Sequence, residues 1–258
     1  MTSGHHWRLT GGLVLAALLL LAASFSVMGA TTGEQKIFRF NVSPDGYPPY
    51  LITQDGQPSG ILWDVVSLIC ERLNYRVVPV QIPRKRVDGM LLDGYFDGTS
   101  RAIEWTDSPD KFLFTRPIVD IEQVLFTPAD SERIYDIRRG YLPKNVVTHL
   151  GYYYPDLDPY FRAGTVRRFD VPRERDLFTF LVHGKGFDAA ITDRRVGLWI
   201  LRNENLEDKV RVARHGLRRY GYRLMLRKDW VGFARRFNKE LQHIRRNGEL
   251  DAILQAYR

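Results

Sequence analysis

Two periodicities of apolar and polar residues follow one another along the first half of the chain. Strict alternation over a few residues is typical of a strand, whereas apolar residues spaced three and four apart are typical of a helix. The predicted elements are, in order, a strand at Ile37–Val42, a helix at Ile61–Leu73, a strand at Arg76–Ile82, a helix at Val87–Leu92 and a strand that opens at Phe96-Asp97-Gly98.

The same succession of strands and helices returns in the second half of the chain. The predicted elements there are a strand at Asn145–Thr148, a helix at Arg173–Val182, a strand at Phe187–Thr192, a helix at Val196–Arg202, a strand at Tyr222–Leu226 and helices within Trp230–Tyr257. Alternating strands and helices predict an α/β fold with mostly parallel sheets flanked by helices. Because the extended segment Ile118–Pro128 joins two similar halves, we expect two lobes with a cleft between them.

The start of the chain has a pattern typical of an exported protein. Arg8 precedes the apolar run Leu13–Ala23, and small residues follow as far as Ala30. This order predicts a signal peptide over residues 1–30, cleaved near residue 29 or 30, and hence a periplasmic protein. The alternative is an uncleaved membrane anchor, although the apolar run is shorter than the about 20 residues that a membrane-spanning helix needs.

The composition limits the kinds of cofactor and partner. The chain has 38 basic and 30 acidic residues, a formal net charge of +8, six histidines and a single cysteine, Cys70. One cysteine excludes an intramolecular disulfide and a thiolate metal cluster, and the histidines show no close metal-ligand spacing. We therefore expect no metal and no cofactor. The basic charge favours an acidic ligand, and export argues against nucleic acid as the partner.

Short motifs in a fixed order resemble those of a known protein family. They are Pro48-Pro49-Tyr50 followed by Gly56 and Gly60-Ile61, Pro83-Arg84-Lys85-Arg86 followed by Leu92, Gly94 and Asp97, Phe114-Thr115-Arg116-Pro117-Ile118, the segment Gly186–Asp193, and Phe237-Asn238 followed by Gly248 and Ala256-Tyr257. In order and spacing they resemble the bacterial extracellular solute-binding proteins of the polar amino-acid type (family 3). The resemblance covers residues 37–258 and implies a type II periplasmic-binding fold whose lobes close over a ligand.

The resemblance also implies lobe boundaries and a role. Residues 36–120 together with about 228–258 form the expected first lobe, and residues 121–227 form the second. We expect a monomer that captures a small polar, carboxylate-bearing ligand such as an amino acid. It would present this ligand to a membrane transporter or a membrane sensor without performing chemistry on it. The alternatives are a periplasmic dehydratase-like enzyme on the same fold, with Glu104 as general acid, and a scaffold that has lost its ligand.

Three positions match the ligand-binding positions of that family. Tyr50 matches an aromatic residue that stacks on the ligand; its alternative role is that of a half-buried tyrosine at a strand end. Asp193 matches the carboxylate that holds a ligand ammonium, and the same side chain is suited to cap the helix that follows it. Gly151 and Tyr152 match a turn whose backbone N–H groups bind a ligand carboxylate, although tyrosines here are also compatible with a plain surface position.

The arginine with which the family clamps the ligand carboxylate is missing from its usual place. That stretch reads Thr106–Lys111 here and contains no arginine. Arg101 and Glu104 follow the third predicted strand, where the family usually has small residues facing the ligand, so both are candidate ligand-binding residues. Because a guanidinium pairs bidentately with a carboxylate, we predict that Arg101 replaces the clamp, with Arg86 or Lys111 as second choice. The alternative is that Arg101 and Glu104 pair with each other.

Overall fold

The computed structural model describes residues 35–53 and 57–257. Its helices are α1 (Ile61–Arg72), α2 (Val87–Leu92), α3 (Asp158–Arg162), α4 (Glu174–His183), α5 (Arg194–Asn203), α6 (Val231–Arg246) and α7 (Glu249–Ala256). Its strands are β1 (Lys36–Val42), β2 (Tyr75–Gln81), β3 (Gly98–Arg101), β4 (Leu113–Phe114), β5 (Val119–Pro128), β6 (Asn145–His149), β7 (Arg167–Val171), β8 (Ala189–Asp193), β9 (Val210–Val212) and β10 (Arg219–Leu226).

The strands form two parallel groups within one continuous sheet. The strand order is β2-β1-β3-β10-β5-β8-β6-β7, with β4 paired to β10 and β9 paired to β5. In the first group, β1 runs parallel to both β2 and β3. In the second group, β6 runs parallel to both β7 and β8. The predicted α/β construction from mostly parallel strands is therefore confirmed.

Two antiparallel strands, β5 and β10, join the two groups. The N-terminal part of β5, Val119–Glu122, pairs with Arg219–Tyr222 of β10. Beyond this ladder, Gln123–Phe126 of β5 pairs with β8 in the second group, and Arg223–Leu226 of β10 pairs with β3 in the first group. β5 is therefore linked to the second group and β10 to the first, and the ladder between them joins the two groups. We call β5 and β10 the hinge strands.

Helix α1 covers the first group because one of its faces is apolar. Val65, Val66 and Ile69 are completely buried, and their spacing is that of a single helix face. The helix follows Gly60, whose φ of +110° favours glycine; a Cβ there would lie 2.7 Å from the carbonyl oxygen of Tyr50. This close approach fixes the segment that carries Tyr50 against the start of α1.

All strands and helices that the periodicity predicted are present, and the differences lie in the connections. The sequence analysis did not identify β4, β7, β9 or α3. It also treated Ile118–Pro128 as an extended connection, whereas β5 is a ten-residue strand in the middle of the sheet. The polar residues Asp120, Glu122 and Gln123 interrupt the apolar pattern of this strand. The first two lie in the ladder with β10, and Gln123 pairs with Asp193 of β8.

The predicted signal peptide, residues 1–30, lies outside the described residues. Within residues 35–53 and 57–257, no helix is both long enough and apolar enough to cross a membrane.

Candidate functional site

A cavity lies where the carboxyl ends of parallel strands from both groups come together. Ser43, Ile82 and Arg101, at the ends of β1, β2 and β3, line it from the first group, and Thr192 near the end of β8 and Tyr152 just beyond β6 line it from the second. Open α/β sheets bind ligands at this edge. We call this space the cleft cavity. Its volume is about 70 Å³, which is small beside the roughly 300 Å³ or more of typical small-molecule pockets.

Arg101 brings a buried positive charge to the cleft cavity. Its side chain is only 4% exposed, and Nη2 donates a hydrogen bond to Asp88 Oδ1 at 3.0 Å. The other nitrogen, Nη1, is buried and has no hydrogen-bond partner. Burial, reinforced by the charge of Arg84, lowers the pKa of Arg101 to about 10, so the guanidinium is still charged at neutral pH. The alternative that Arg101 pairs with Glu104 is wrong, because its partner is Asp88.

Arg84 is a second guanidinium on the same side of the cleft cavity. Its Nη2 donates to the carbonyl oxygen of Trp105 at 3.2 Å, and its Nη1 approaches Asp88 Oδ1 at 3.4 Å. One carboxylate oxygen is thus shared by two arginines. This side of the cavity therefore carries one positive charge more than its carboxylate can balance.

A row of aromatic rings forms the apolar wall of the cleft cavity. The ring centroids of Tyr47 and Tyr152 are 6.2 Å apart, those of Tyr47 and Tyr222 are 6.1 Å apart, and those of Trp105 and Tyr222 are 5.7 Å apart. The hydroxyl of Tyr222 is hydrogen-bonded to Ser100 Oγ at 3.0 Å, which holds this ring in place. Because neighbouring rings meet at interplanar angles of 57–73°, the wall is angular, and a planar group can pack against the face or edge of an individual ring.

Two further polar atoms in the cleft cavity have no partner. Oε1 of Gln123, on the hinge strand β5, and Nε1 of Trp105 are both buried without a hydrogen bond. Together with Nη1 of Arg101, they give the cavity one free acceptor and two free donors. Most buried polar atoms in proteins are hydrogen-bonded, so these three atoms are the groups of the cavity with unused hydrogen-bonding capacity.

Tyr50 and Asp193 are bound to each other beside the hinge strands. The Tyr50 hydroxyl donates to Asp193 Oδ1 at 3.0 Å, and this oxygen also accepts from the backbone N–H groups of Arg195 and Val196, at the start of α5. Oδ2 accepts from the backbone N–H of Glu122 at 2.9 Å. Asp193 is therefore a helix cap, as its alternative interpretation predicted. Tyr50 and Asp193 border a second cavity of about 430 Å³ rather than the cleft cavity, and their roles in ligand binding stay predictions.

Glu174, at the start of α4, is a buried carboxyl group behind the cleft cavity. Its Oε2 accepts a hydrogen bond from Thr192 Oγ1 at 2.8 Å, while its Oε1 is buried without a partner. Burial, together with a smaller contribution from the charge of Asp193, raises the pKa of Glu174 to about 8. The folded protein therefore holds a proton on Glu174 at pH values where the unfolded chain has lost it.

This proton predicts how stability depends on pH. Because the folded state binds more protons than the unfolded state above the ordinary glutamate pKa, stability should fall as pH rises from about 5 to about 8, by up to about 1 kcal/mol per pH unit. Glu174→Gln should flatten this slope. The measurement is urea unfolding at several pH values, with the exposed Glu71→Gln as matched control that keeps the wild-type slope. Equal slopes for Glu174→Gln and wild type would contradict the assignment.

The structure brings some of the predicted ligand-binding residues together. Arg101 and Tyr152 both line the cleft cavity. Gly151 lies close to the first group, because a Cβ at this position would be 3.3 Å from Cγ of Lys85. Its φ of +80° is a left-handed conformation that favours glycine. The turn at Gly151 and Tyr152 therefore faces the arginine-bearing side of the cavity.

Arg86 and Glu104 lie outside the cleft cavity because of the turns to which they belong. Both side chains are exposed and neither lines the cleft cavity. Each belongs to a 3₁₀ turn in which a neighbour faces the cavity instead: Arg84 in the turn Arg84–Arg86, and Trp105 in the turn Ile103–Trp105. Lys111, the other second choice for the clamp, is also exposed. Roles for these side chains in ligand binding stay predictions.

Other residues of the cleft cavity were not identified from the sequence. Arg84 stands two residues before Arg86 in the same motif, and nothing local distinguishes which arginine faces inward. Gln123 and Tyr222 lie on the hinge strands, which the sequence analysis did not connect with the site. An available signal was the position of Gln123, a lone amide directly before the apolar run Val124–Phe126.

Solved structures of ligand-binding proteins share the fold. A histidine kinase sensor domain with similarity to periplasmic binding proteins is 20% identical, with a TM-score of 0.74 over 86% of this chain and 96% of that chain. An arginine transport system periplasmic binding protein from Legionella pneumophila is 17% identical, with a TM-score of 0.72 over 86% and 100%. An ancestral amino-acid-binding protein, a precursor of cyclohexadienyl dehydratase, is 18% identical, with a TM-score of 0.71 over 86% and 95%. These likenesses confirm the predicted two-lobed type II periplasmic-binding fold.

The family follows from a match over most of the chain. Among curated proteins, no sequence matches the chain. The sequence profile described as bacterial extracellular solute-binding proteins, family 3, matches residues 39–258. The matched span contains β1 from Arg39 onward, all strands from β2 to β10, and the residues that line the cleft cavity. The chain therefore belongs to family 3 of the bacterial extracellular solute-binding proteins.

Proposed function

We propose that this protein captures a small polar ligand, an amino acid or a related carboxylate, by closing its two lobes around the cleft cavity. The single observation that carries the proposal is the buried guanidinium of Arg101, whose Nη1 has no hydrogen-bond partner. A charged donor that is both desolvated and unpaired is costly, and a ligand carboxylate would satisfy it with a charge-assisted hydrogen bond.

The lobes move apart to admit the ligand and close to enclose it. The small volume of the cleft cavity, about 70 Å³, means that an amino-acid-sized ligand enters only when the lobes move apart. The ladder between Val119–Glu122 and Arg219–Tyr222 is where such a movement has its hinge. We propose lobe boundaries near residues 120 and 222. The second boundary lies a few residues before the predicted 227, because Arg223–Leu226 pairs with β3 of the first group.

The cellular setting follows from the same family. Its members are extracellular solute-binding proteins, which supports export of this chain. We propose a periplasmic monomer, released by cleavage of the signal peptide near residue 29 or 30. It would present its ligand to a membrane transporter or to a membrane sensor. Both are represented among its structural neighbours, by a transport-system binding protein and by a histidine kinase sensor domain.

The test combines native mass spectrometry of the purified protein with a thermal-shift screen of amino acids, oligopeptides, polyamines and small carboxylates. A ligand at 100 times its Kd adds about 2.7 kcal/mol to the free energy of unfolding, which raises the melting temperature measurably. The expected result is a hit within the amino acids or carboxylates. Absence of a co-purified mass, together with no shift across the panel, would favour the ligand-blind scaffold instead.

A dehydratase-like enzyme is the second candidate, because one structural neighbour is a precursor of cyclohexadienyl dehydratase. The proposed general acid, Glu104, is exposed, and the described lining of the cleft cavity contains no carboxyl or imidazole side chain. A substrate held in that cavity would therefore have no carboxylic acid or imidazolium of the lining to serve as general acid. We propose that the protein performs no chemistry on its ligand. Turnover of a cyclic hydroxy-carboxylate by the purified protein would contradict this.

A further inference from the structure

The charges around the cleft cavity are unsuited to a ligand ammonium. The described residues that line it include two arginines, Arg84 and Arg101, and no carboxylate. Three carboxyl groups lie behind this lining: Asp88 is shared by both arginines, and Asp193 accepts from Tyr50 and three backbone N–H groups. Glu174 accepts from Thr192 Oγ1 through Oε2, and its free Oε1 is not part of the cavity lining. An ammonium group in this cavity would therefore meet an excess positive charge and no counter-charge.

The energetic consequence differs for the two ends of an amino acid. An enclosed ammonium without a carboxylate partner loses its hydration and gains repulsion from the guanidinium groups, and both effects weaken its binding. A ligand carboxylate is favoured instead, because Nη1 of Arg101 is buried without an acceptor and can donate a hydrogen bond to it. The cavity thus favours the carboxylate and rejects the ammonium.

The remaining lining indicates the shape and polarity of the rest of the ligand. The rings of Tyr152, Tyr47, Tyr222 and Trp105 follow one another at centroid distances of 5.7–6.2 Å and interplanar angles of 57–73°. This wall presents ring faces and edges against which a planar body can pack. The unpartnered Oε1 of Gln123 accepts a hydrogen bond and carries no charge. A neutral donor such as a hydroxyl satisfies this oxygen without bringing a second positive charge into the cavity.

We propose that the cleft cavity selects a small planar carboxylate that carries a neutral hydrogen-bond donor, such as a phenolic hydroxyl, and no ammonium group. This inference rests on the proposed binding function and narrows its ligand class. The carboxylate pairs with Arg101, the planar body packs on the tyrosine and tryptophan rings, and the hydroxyl donates to Gln123.

A matched pair of compounds tests the selection. L-tyrosine and 3-(4-hydroxyphenyl)propanoate differ only in the ammonium group, and both are titrated into the purified protein by isothermal calorimetry. The carboxylate without the ammonium should bind about tenfold more tightly or better, a difference of about 1.4 kcal/mol. In a second pair, 3-phenylpropanoate lacks the hydroxyl and should bind more weakly. Gln123→Leu should abolish that second difference, whereas the exposed control Gln242→Leu should keep it.

The outcomes separate this inference from the proposed function. If L-tyrosine or another α-amino acid binds more tightly than the same compound without its ammonium group, the inference is overturned. The proposed function as a binding protein then still stands. Binding of propanoate as tight as that of the aromatic acids would overturn the planar selection. If neither amino acids nor carboxylates bind, both the inference and the proposed function fail. Melting temperatures of the ligand-free variants show that each variant is folded before its affinity is compared.

Discussion

Replacing Arg101 by methionine is expected to weaken the binding of a carboxylate-bearing ligand by about 30-fold or more, with 3-(4-hydroxyphenyl)propanoate as the probe. Methionine fills a similar volume but removes the only buried cationic donor in the described lining that is left without an acceptor. The ligand carboxylate would then be enclosed beside Arg84, whose nitrogens already contact Asp88 and Trp105. Isothermal calorimetry on wild type and variant measures the difference directly.

Two further variants show whether the effect belongs to the guanidinium. Arg101→Lys keeps the charge but loses the planar fork, so its affinity should lie between those of wild type and Arg101→Met. Arg76→Met removes an exposed arginine on β2, away from the cleft cavity, and should leave affinity unchanged. An Arg101→Met affinity within about threefold of wild type would show that Arg101 does not hold the ligand.

Replacing Asp193 by alanine is expected to have the largest effect on stability. Its carboxylate accepts from the Tyr50 hydroxyl and from the backbone N–H groups of Glu122, Arg195 and Val196, and the residue is 1% exposed. Alanine would remove a helix cap and leave several buried donors without an acceptor. The expected loss is about 3–5 kcal/mol in the free energy of unfolding, measured by urea denaturation.

Asp193→Asn is the matched control for this prediction. Asparagine keeps one oxygen acceptor, so it preserves either the cap of α5 or the bond to Glu122, and its loss of stability should be clearly smaller than that of alanine. If Asp193→Ala is within about 1 kcal/mol of wild type, the hydrogen bonds of Asp193 do not stabilise the fold. If Asp193→Asn is stable yet loses ligand affinity, Asp193 also takes part in binding.

The two predictions concern residues that the sequence analysis had given related roles. Arg101 and Asp193 were the expected partners of a ligand carboxylate and a ligand ammonium. In the structure Arg101 lines the cleft cavity with a free donor, whereas both carboxylate oxygens of Asp193 accept hydrogen bonds from the protein itself. This asymmetry is the reason to expect a ligand that has a carboxylate and lacks an ammonium.

The periodicity of apolar residues was sufficient to predict the helices and strands, because each of them buries its own apolar face. The apolar face of α1, with Val65, Val66 and Ile69 buried, can be recognised in the sequence without knowing which strands it packs against. The same holds for β1 and β6, whose residues pair in register with parallel neighbours. The hinge strand β5 is the exception. Its polar residues interrupt the apolar pattern, and only the full sheet shows that the strand pairs with β10 along its N-terminal part and with β8 further along.

The sequence by itself determined the α/β elements, their order, the family motifs and the missing clamp arginine, because each depends on residues that are neighbours along the chain. Only the tertiary structure decided which polar groups are left free. The partner of Tyr50 is 143 residues away in the sequence, and the carboxylate that pairs with Arg101 is Asp88 rather than the nearer Glu104. Buried donors and acceptors form hydrogen bonds with groups that folding brings close to them. Whether a buried charge has a partner is therefore a property of the folded protein alone.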